Sequence, residues 1–129
     1  MNNILADTNI FLEILLNQEK KEQCKLFLNE NIDNLFISDF SLHSIGVILL
    51  RNKKEKIYEK FIKDILSKVS IVTLTKENYT EISKISKKYK MDFDDSYQTC
   101  VSLDRELQIV TMDKDFRKVE EISDIRFLN

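Results

Sequence analysis

Three aspartates stand where this chain passes from strand-like into helix-like sequence. Asp7 closes Ile4-Leu5-Ala6 ahead of Thr8-Asn9, Asp95 follows Met91-Asp92-Phe93-Asp94, and Asp113 follows Ile109-Val110-Thr111-Met112. Three of the four apparent strand-to-helix turns therefore carry one. In an open parallel sheet, ligands bind beyond the carboxyl ends of the strands. Carboxylates gathered there from distant segments repel one another, and a cation relieves that repulsion. A site of carboxylates and water suits a hard divalent metal, and such metals commonly serve phosphate chemistry.

Each aspartate also has a plainer use. Asp7 fits the N-cap of the helix that follows, although Thr8 or Asn9 fits that position equally well and would free Asp7 for a ligand. Among Asp92, Asp94 and Asp95, one is a cap or a charge that favours the helix dipole. Asp95 is assigned to the site because Ser96-Tyr97-Gln98-Thr99-Cys100 after it begins a mostly buried helix. Asp113 is nearest its strand and is the expected ligand. Asp115, two residues on, holds a water at the edge of the site or caps a short helix over Phe116–Glu120. Beyond the second strand come Asp39, His43 and Ser44. Asp39 reads as a helix cap, and His43, the chain's one histidine, is an accessory candidate. Arg51, Lys53, Lys54 and Lys56 form a basic run that touches phosphate only if it lies on the acidic rim.

The elements that must position these groups follow from periodicity. Five β-type runs, Asn3–Ala6, Leu35–Ser38, Ser70–Leu74, Gln108–Thr111 and Ile125–Leu128, alternate with apolar residues at helical spacing. Cys24, Phe27 and Leu28 mark one helix, and Ile57, Phe61, Ile62, Ile65 and Leu66 another, its face serving as core or interface. Ile82, Ile85 and Tyr89 mark a third, within Lys76–Lys90. Tyr97, Cys100, Val101 and Leu103 mark a fourth, within Asp94–Arg105. Two helices are expected between the first and second strands and two more between the second and third. This pattern predicts an α/β fold, a three-layer α/β/α sandwich around a mostly parallel sheet of about five strands. Gly46 falls inside a helix, where it is expected to allow close helix–strand packing or a bend.

Composition narrows the function classes. A chain of 129 residues with 43% hydrophobic and 33% charged residues suits a single globular domain over residues 1–129. The net charge of -2 gives no global basic field for coating a nucleic-acid duplex, although an enzyme gripping a short single strand needs only a local basic patch. The two cysteines, Cys24 and Cys100, sit among apolar neighbours as core residues. The first residues lack the pattern of a secretory signal, and Val47-Ile48-Leu49-Leu50 is far too short to span a membrane. The expected location is the cytoplasm.

Leu5-Ala6-Asp7-Thr8-Asn9-Ile10-Phe11-Leu12 resembles the opening strand and turn of PIN domains. The stretch from Asp95 through Val110-Thr111-Met112-Asp113-Lys114-Asp115-Phe116 resembles their second half in order and spacing. The resemblance covers essentially the whole chain. It implies a metal-dependent ribonuclease using Mg²⁺ or Mn²⁺, often the toxin of a VapBC-type toxin–antitoxin pair, and commonly a homodimer. Asp7, Asp95 and Asp113 match the family's acidic positions, Thr8 or Asn9 a polar neighbour, and Asp115 an accessory acid. The implied partners are single-stranded or structured RNA and an antitoxin protein, with Arg51, Lys53 and Lys54 as RNA-contact candidates.

One departure matters. The family usually carries a glutamate in the helix after its second strand, and here Ser44 takes that slot with His43 beside it. A serine hydroxyl still holds a metal-bound water, and a protonated His43 offers a phosphate contact. The alternative function is therefore a catalytically impaired PIN-fold module that binds RNA or protein. Haloacid-dehalogenase-like phosphatases need a second aspartate where Asn9 stands, and response-regulator receivers need an acidic group where Leu74-Thr75 follow the third strand. Both fail on these residues.

Overall fold

Strands β1 (Ile4–Ala6), β2 (Leu35–Ser38), β3 (Ser70–Val72), β4 (Gln108–Thr111) and β5 (Ile125–Phe127) form one five-stranded sheet in a computed structural model that describes residues 3–129. Successive strand residues point to opposite faces, and the sequence uses this directly. Ile4, Ala6, Leu35, Ile37 and Val110 enter one core, while Leu5, Val72 and Ile109 enter the other. The sheet is parallel at every pairing, in the order β3-β2-β1-β4-β5, where the sequence predicted it only mostly so. That order reverses direction between β1 and β4, which makes their carboxyl ends the topological switch point.

Helices α1 (Thr8–Leu15), α2 (Lys21–Asn31), α3 (Asp39–Arg51) and α4 (Glu55–Asp64) cover the first face. Ile10, Phe11, Cys24, Phe27, Leu28, Ile45, Leu49 and Phe61 come from them. Helices α5 (Thr80–Tyr89) and α6 (Phe93–Arg105) cover the second with Ile82, Tyr97, Cys100 and Val101. The face marked by Ile57, Phe61 and Ile65 is core, since Phe61 is fully buried and the other two pack beside it. Cys24 and Cys100 are buried free thiols, as their apolar neighbours indicated.

Several boundaries differ from expectation. Leu103 is 43% exposed, so the buried face of α6 ends with Ser102 and its last turn is wet. The helix expected over Lys76–Lys90 opens as a separate 3-10 turn at Lys76–Asn78. The short helix expected over Phe116–Glu120 is a 3-10 helix over Lys114–Val119. With one glycine in the chain, the left-handed residues that end α5 and α6 are Lys90 (φ 56°) and Glu106 (φ 55°). Left-handed turns are ordinarily given to glycine or asparagine, so no residue type flagged these two stops in advance.

Gly46 serves helix–helix rather than helix–strand packing. A Cβ placed there meets Tyr58 of α4 at 3.6 Å, an ordinary van der Waals distance. Glycine within a helix costs about 1 kcal/mol relative to alanine. Gly46→Ala is accordingly expected to raise stability by up to about 1 kcal/mol in urea denaturation, and a loss would show that α3 and α4 need a closer approach. No helix among the described residues is long and apolar enough to cross a membrane.

Candidate active site

Parallel register brings Asp7 and Asp113 together. Ala6 pairs with Val110, and the Asp7 amide donates to the Val110 carbonyl at 3.0 Å. Asp7 therefore leaves β1 beside Thr111, the last residue of β4. Asp113 follows two residues later, its amide held by Thr111 Oγ1 at 3.0 Å. The switch point lies between them. Asp95 arrives differently. It does not follow a strand, as the sequence suggested, but opens α6 directly after α5. Asp92 is the N-cap there, accepting from the Asp95 amide at 3.1 Å, which leaves the Asp95 carboxylate free to face the switch point.

Asp7, Thr8, Asn9, Ser44, Asp94, Asp95, Gln98 and Asp113 line one cleft of about 210 Å³, with Leu12, Phe40 and Ile48 completing its wall. Among these lining residues are four carboxylates and no basic side chain. The carboxylate oxygens of Asp95, Asp113 and Asp115 come within 4.8 Å of one another. Asp115 thus joins the cluster from the rim, closer to Asp95 and Asp113 than its accessory position in the sequence implied. Asp113, not Asp115, caps the 3-10 helix, accepting from the Asp115 amide at 2.9 Å.

Asp7 stands deeper, 7% exposed, and serves as the cap read from the sequence without leaving the cleft. It caps α1, with Oδ1 accepting from the Thr8 amide at 2.9 Å, and it also faces the cleft. Its Oδ2 accepts from Thr111 Oγ1 at 2.7 Å, and Oδ1 receives a longer bond from Gln98 Nε2 at 3.4 Å. Burial pushes the Asp7 carboxyl above the usual range, against the opposing pull of these donors, with the charge of Asp113 adding to the rise.

Asp95 feels the crowding most. Desolvation first, then the negative charges of Asp92, Asp7, Asp113 and Asp115, push its pKa up to about 7. Asp94 is shifted upward too, by burial and by Asp92. Carboxylates held this way favour a bound proton or a bound cation. All the donors are oxygens, and oxygens spanning 4.8 Å or less fit around one ion whose ligands lie at about 2.0–2.6 Å. The group therefore fits a hard divalent cation.

Other candidates from the sequence separate from this cluster. Ser44 lines the cleft, but its neighbour His43 is exposed and faces a shallow groove with Arg51, Asp39, Leu50 and Tyr58. Lys53 and Lys54 sit in the turn into α4, with Lys53 left-handed and Lys54 at the N-cap position. Neither they nor Lys56 are among the cleft residues. Asp39 is not the cap of α3, since Ser38 holds that place by accepting from the Ser41 amide. The Asp39 carboxylate instead accepts from the Tyr97 hydroxyl at 2.6 Å. Burial and this bond raise the Tyr97 pKa.

The sequence reading missed Gln98, Ser41 and Thr111. Gln98 lies one turn after Asp95, a spacing that shares a helix face, and this was the available signal. Its Nε2 reaches Ser41 Oγ at 3.0 Å, and Ser41 Oγ in turn lies 2.7 Å from Thr8 Oγ1. Gln98 Oε1 is buried without a hydrogen-bond partner among the described groups. An unpaired buried acceptor costs about 1–3 kcal/mol.

An all-parallel sheet with carboxylates converging on its switch point defines an α/β protein with an acidic cleft at the carboxyl ends of its strands. The particular family follows from comparison. The PIN domain family model matches residues 4–122, and the chain belongs to that family. Membership supports a hydrolase of the nuclease kind. No curated protein sequence matches. Among solved structures, the chain is similar to VapBC2 from Rickettsia felis bound to a DNA fragment from its promoter, with a TM-score of 0.81 and 14% identity over 98% of both chains. It is similar to DNA-bound VapBC from Salmonella typhimurium, with a TM-score of 0.79 and 17% identity over 100% of both chains. FitAcB from Neisseria gonorrhoeae follows at a TM-score of 0.73 and 21% identity, covering 98% of this chain and 96% of that one. At these identities the likeness speaks for the fold.

Proposed function

We propose that this protein is a Mg²⁺- or Mn²⁺-dependent endoribonuclease that hydrolyses RNA phosphodiesters, acting in the cytoplasm as the toxin of a toxin–antitoxin pair. The observation that carries this reading is the meeting of Asp7, Asp95 and Asp113, from three separate segments, in one cleft without a basic lining residue. Asp7, Asp95 and Asp113 would hold a divalent cation there, which would supply Lewis acidity for activating a water and offsetting charge on the leaving oxygen.

The chain's own groups orient that chemistry. Thr111, the Thr8 amide and Gln98 fix the plane of the Asp7 carboxylate. The Asp115 amide fixes Asp113, and Asp95 offers its carboxylate from the first turn of α6. Asn9, exposed at the cleft mouth, donates its amide to a phosphate oxygen of the RNA. No side chain serves as nucleophile. Solved relatives described as VapBC and as a toxin–antitoxin complex support an antitoxin partner, and the active form is taken to be a homodimer. A second reading, an impaired RNA- or protein-binding module, draws on Ser44 standing in the cleft where a fifth carboxylate would otherwise add to the site.

Purified protein incubated with a labelled single-stranded and hairpin RNA panel tests the proposal. Cleavage is expected with Mg²⁺ or Mn²⁺, to be absent in EDTA, and to be lost in Asp113→Asn. Cutting that persists equally in EDTA and in Asp113→Asn marks a contaminant. RNA retention without any cutting favours the binding module.

A further inference from the structure

One buried polar atom of a cleft-lining residue is left without a partner among the described residues. Gln98 is 2% exposed and lines the cleft beside Asp7 and Ser44. Its Nε2 is engaged by Ser41 Oγ at 3.0 Å and by Asp7 Oδ1 at 3.4 Å, while Oε1 has no partner among the described residues. Turning the carboxamide over does not mend this. An ionised Asp7 only accepts, so the reversed group would set two acceptors 3.4 Å apart. The nitrogen must face Asp7, and the buried carbonyl then needs a donor from elsewhere.

We propose that Gln98 is a positioning residue for the cation, taking over in part the place left by Ser44: Nε2 holds Asp7 in plane, and Oε1 accepts from a water of the cation's hydration shell. Three features agree with that role. Ser44 and Gln98 are on different helices, α3 and α6, yet line the same cleft. The serine side chain is short and uncharged, whereas the carboxamide reaches from α6 to both Asp7 and Ser41. A neutral carbonyl also adds an acceptor for cation-bound water without adding another negative charge to a cluster that already crowds Asp95. Groups that orient metal ligands or hold their waters typically change metal affinity ten- to a hundred-fold when removed.

The inference rests on the metal-dependent nuclease reading, so its test measures metal uptake directly. Mn²⁺ is titrated calorimetrically into the full chain as wild type, Gln98→Met and Gln98→Asn, and each is melted in EDTA. Methionine keeps the side chain's length and removes the unmatched oxygen. Gln98→Met is therefore expected to bind Mn²⁺ roughly ten-fold more weakly or worse, with a metal-free melting temperature no lower than wild type. An unchanged Mn²⁺ affinity overturns the inference, and so does a weakening matched by a large fall in the metal-free melting temperature, which would make Gln98 a structural prop. If Gln98→Met does not fold, Gln98→Asn decides: a carboxamide one methylene shorter is withdrawn from Asp7 and Ser41, so Mn²⁺ binding should weaken by a similar factor, and affinity equal to wild type sinks the idea. Wild type that takes up no Mn²⁺ removes the nuclease reading as well, whereas wild-type uptake with an indifferent Gln98→Met removes this inference alone.

Discussion

Asp95→Asn is expected to abolish metal-dependent RNA cleavage and, in EDTA at pH 8, to melt at a higher temperature than wild type. Both effects have one source. Asp95 titrates at about 7, above the ordinary aspartate value of about 3.9. The raised value means that the folded state holds the proton more tightly than the unfolded chain. The stability contributed by neutral Asp95 is therefore fully present below about pH 4 and is lost as pH rises through about 7. Metal-free wild type should melt progressively lower between pH 5 and pH 8, and Asp95→Asn should flatten that slope, because an amide carries no charge at either pH. Mn²⁺ should restore the wild-type melting temperature most strongly at the upper end of the range, where Asp95 is ionised, and should do little for the variant. Losing one ligand from a cation that stabilises transition-state charge by several kcal/mol corresponds to a fall in cleavage on the order of 10³-fold. If the variant cuts RNA normally, Asp95 has no part in the chemistry. If it is no more stable than wild type at pH 8 without metal, the crowding of carboxylates around it is not felt.

The second large effect concerns Ser44, an uncharged side chain lining the cleft beside the aspartates. Ser44→Glu would place a further carboxylate in a cleft already lined by Asp7, Asp94, Asp95 and Asp113. With a cation present it gains a ligand, and without one it gains only repulsion. The expected outcome is Mn²⁺ binding tighter by about ten-fold or more, equivalent to about 1.4 kcal/mol or more, together with a lower melting temperature in EDTA. Cleavage at limiting Mn²⁺ should rise in step with affinity. The comparison also separates the two functional readings. A wild type that cuts RNA and a Ser44→Glu that cuts at lower metal concentration describe an enzyme with a weakened site. A wild type that binds RNA without cutting, set beside an active Ser44→Glu, describes a module disarmed at this residue. No change in Mn²⁺ affinity would mean that position 44 is too far from the cation for a carboxylate to reach.

Much of the candidate site was legible as residue types at chain positions, and its working geometry was not. Asp7 and Asp113 could be found because an aspartate directly after an apolar β-run is a local pattern, and in a parallel sheet such positions share one edge. Asp95 could be chosen from its helix, but the reason it reaches the site is tertiary: α6 follows another helix and points its first turn at the switch point. His43 and Ser44 are neighbours in sequence and were grouped together. A rotation of about 100° per residue, from about 3.6 residues per turn, sends the serine to the cleft and the histidine to a different groove. Ser41 and Thr111 carry no local mark, and Gln98 carries only its spacing from Asp95, since a buried glutamine looks like any other polar residue of a helix until Asp7 at the end of β1 and Ser41 of α3 arrive.

The sequence by itself determined the class of fold, the five strands within a residue or two, the core cysteines and the acidic character of the site. These follow from periodicity and residue chemistry, which act over a few neighbouring residues. Only the tertiary structure decided the strand order, the closeness of Asp115 to Asp95 and Asp113, the dual use of Asp7 as cap and cleft wall and the separation of the basic run from the cleft. Those depend on how elements far apart in the chain pack across the sheet, and that packing brings like charges together at its switch point.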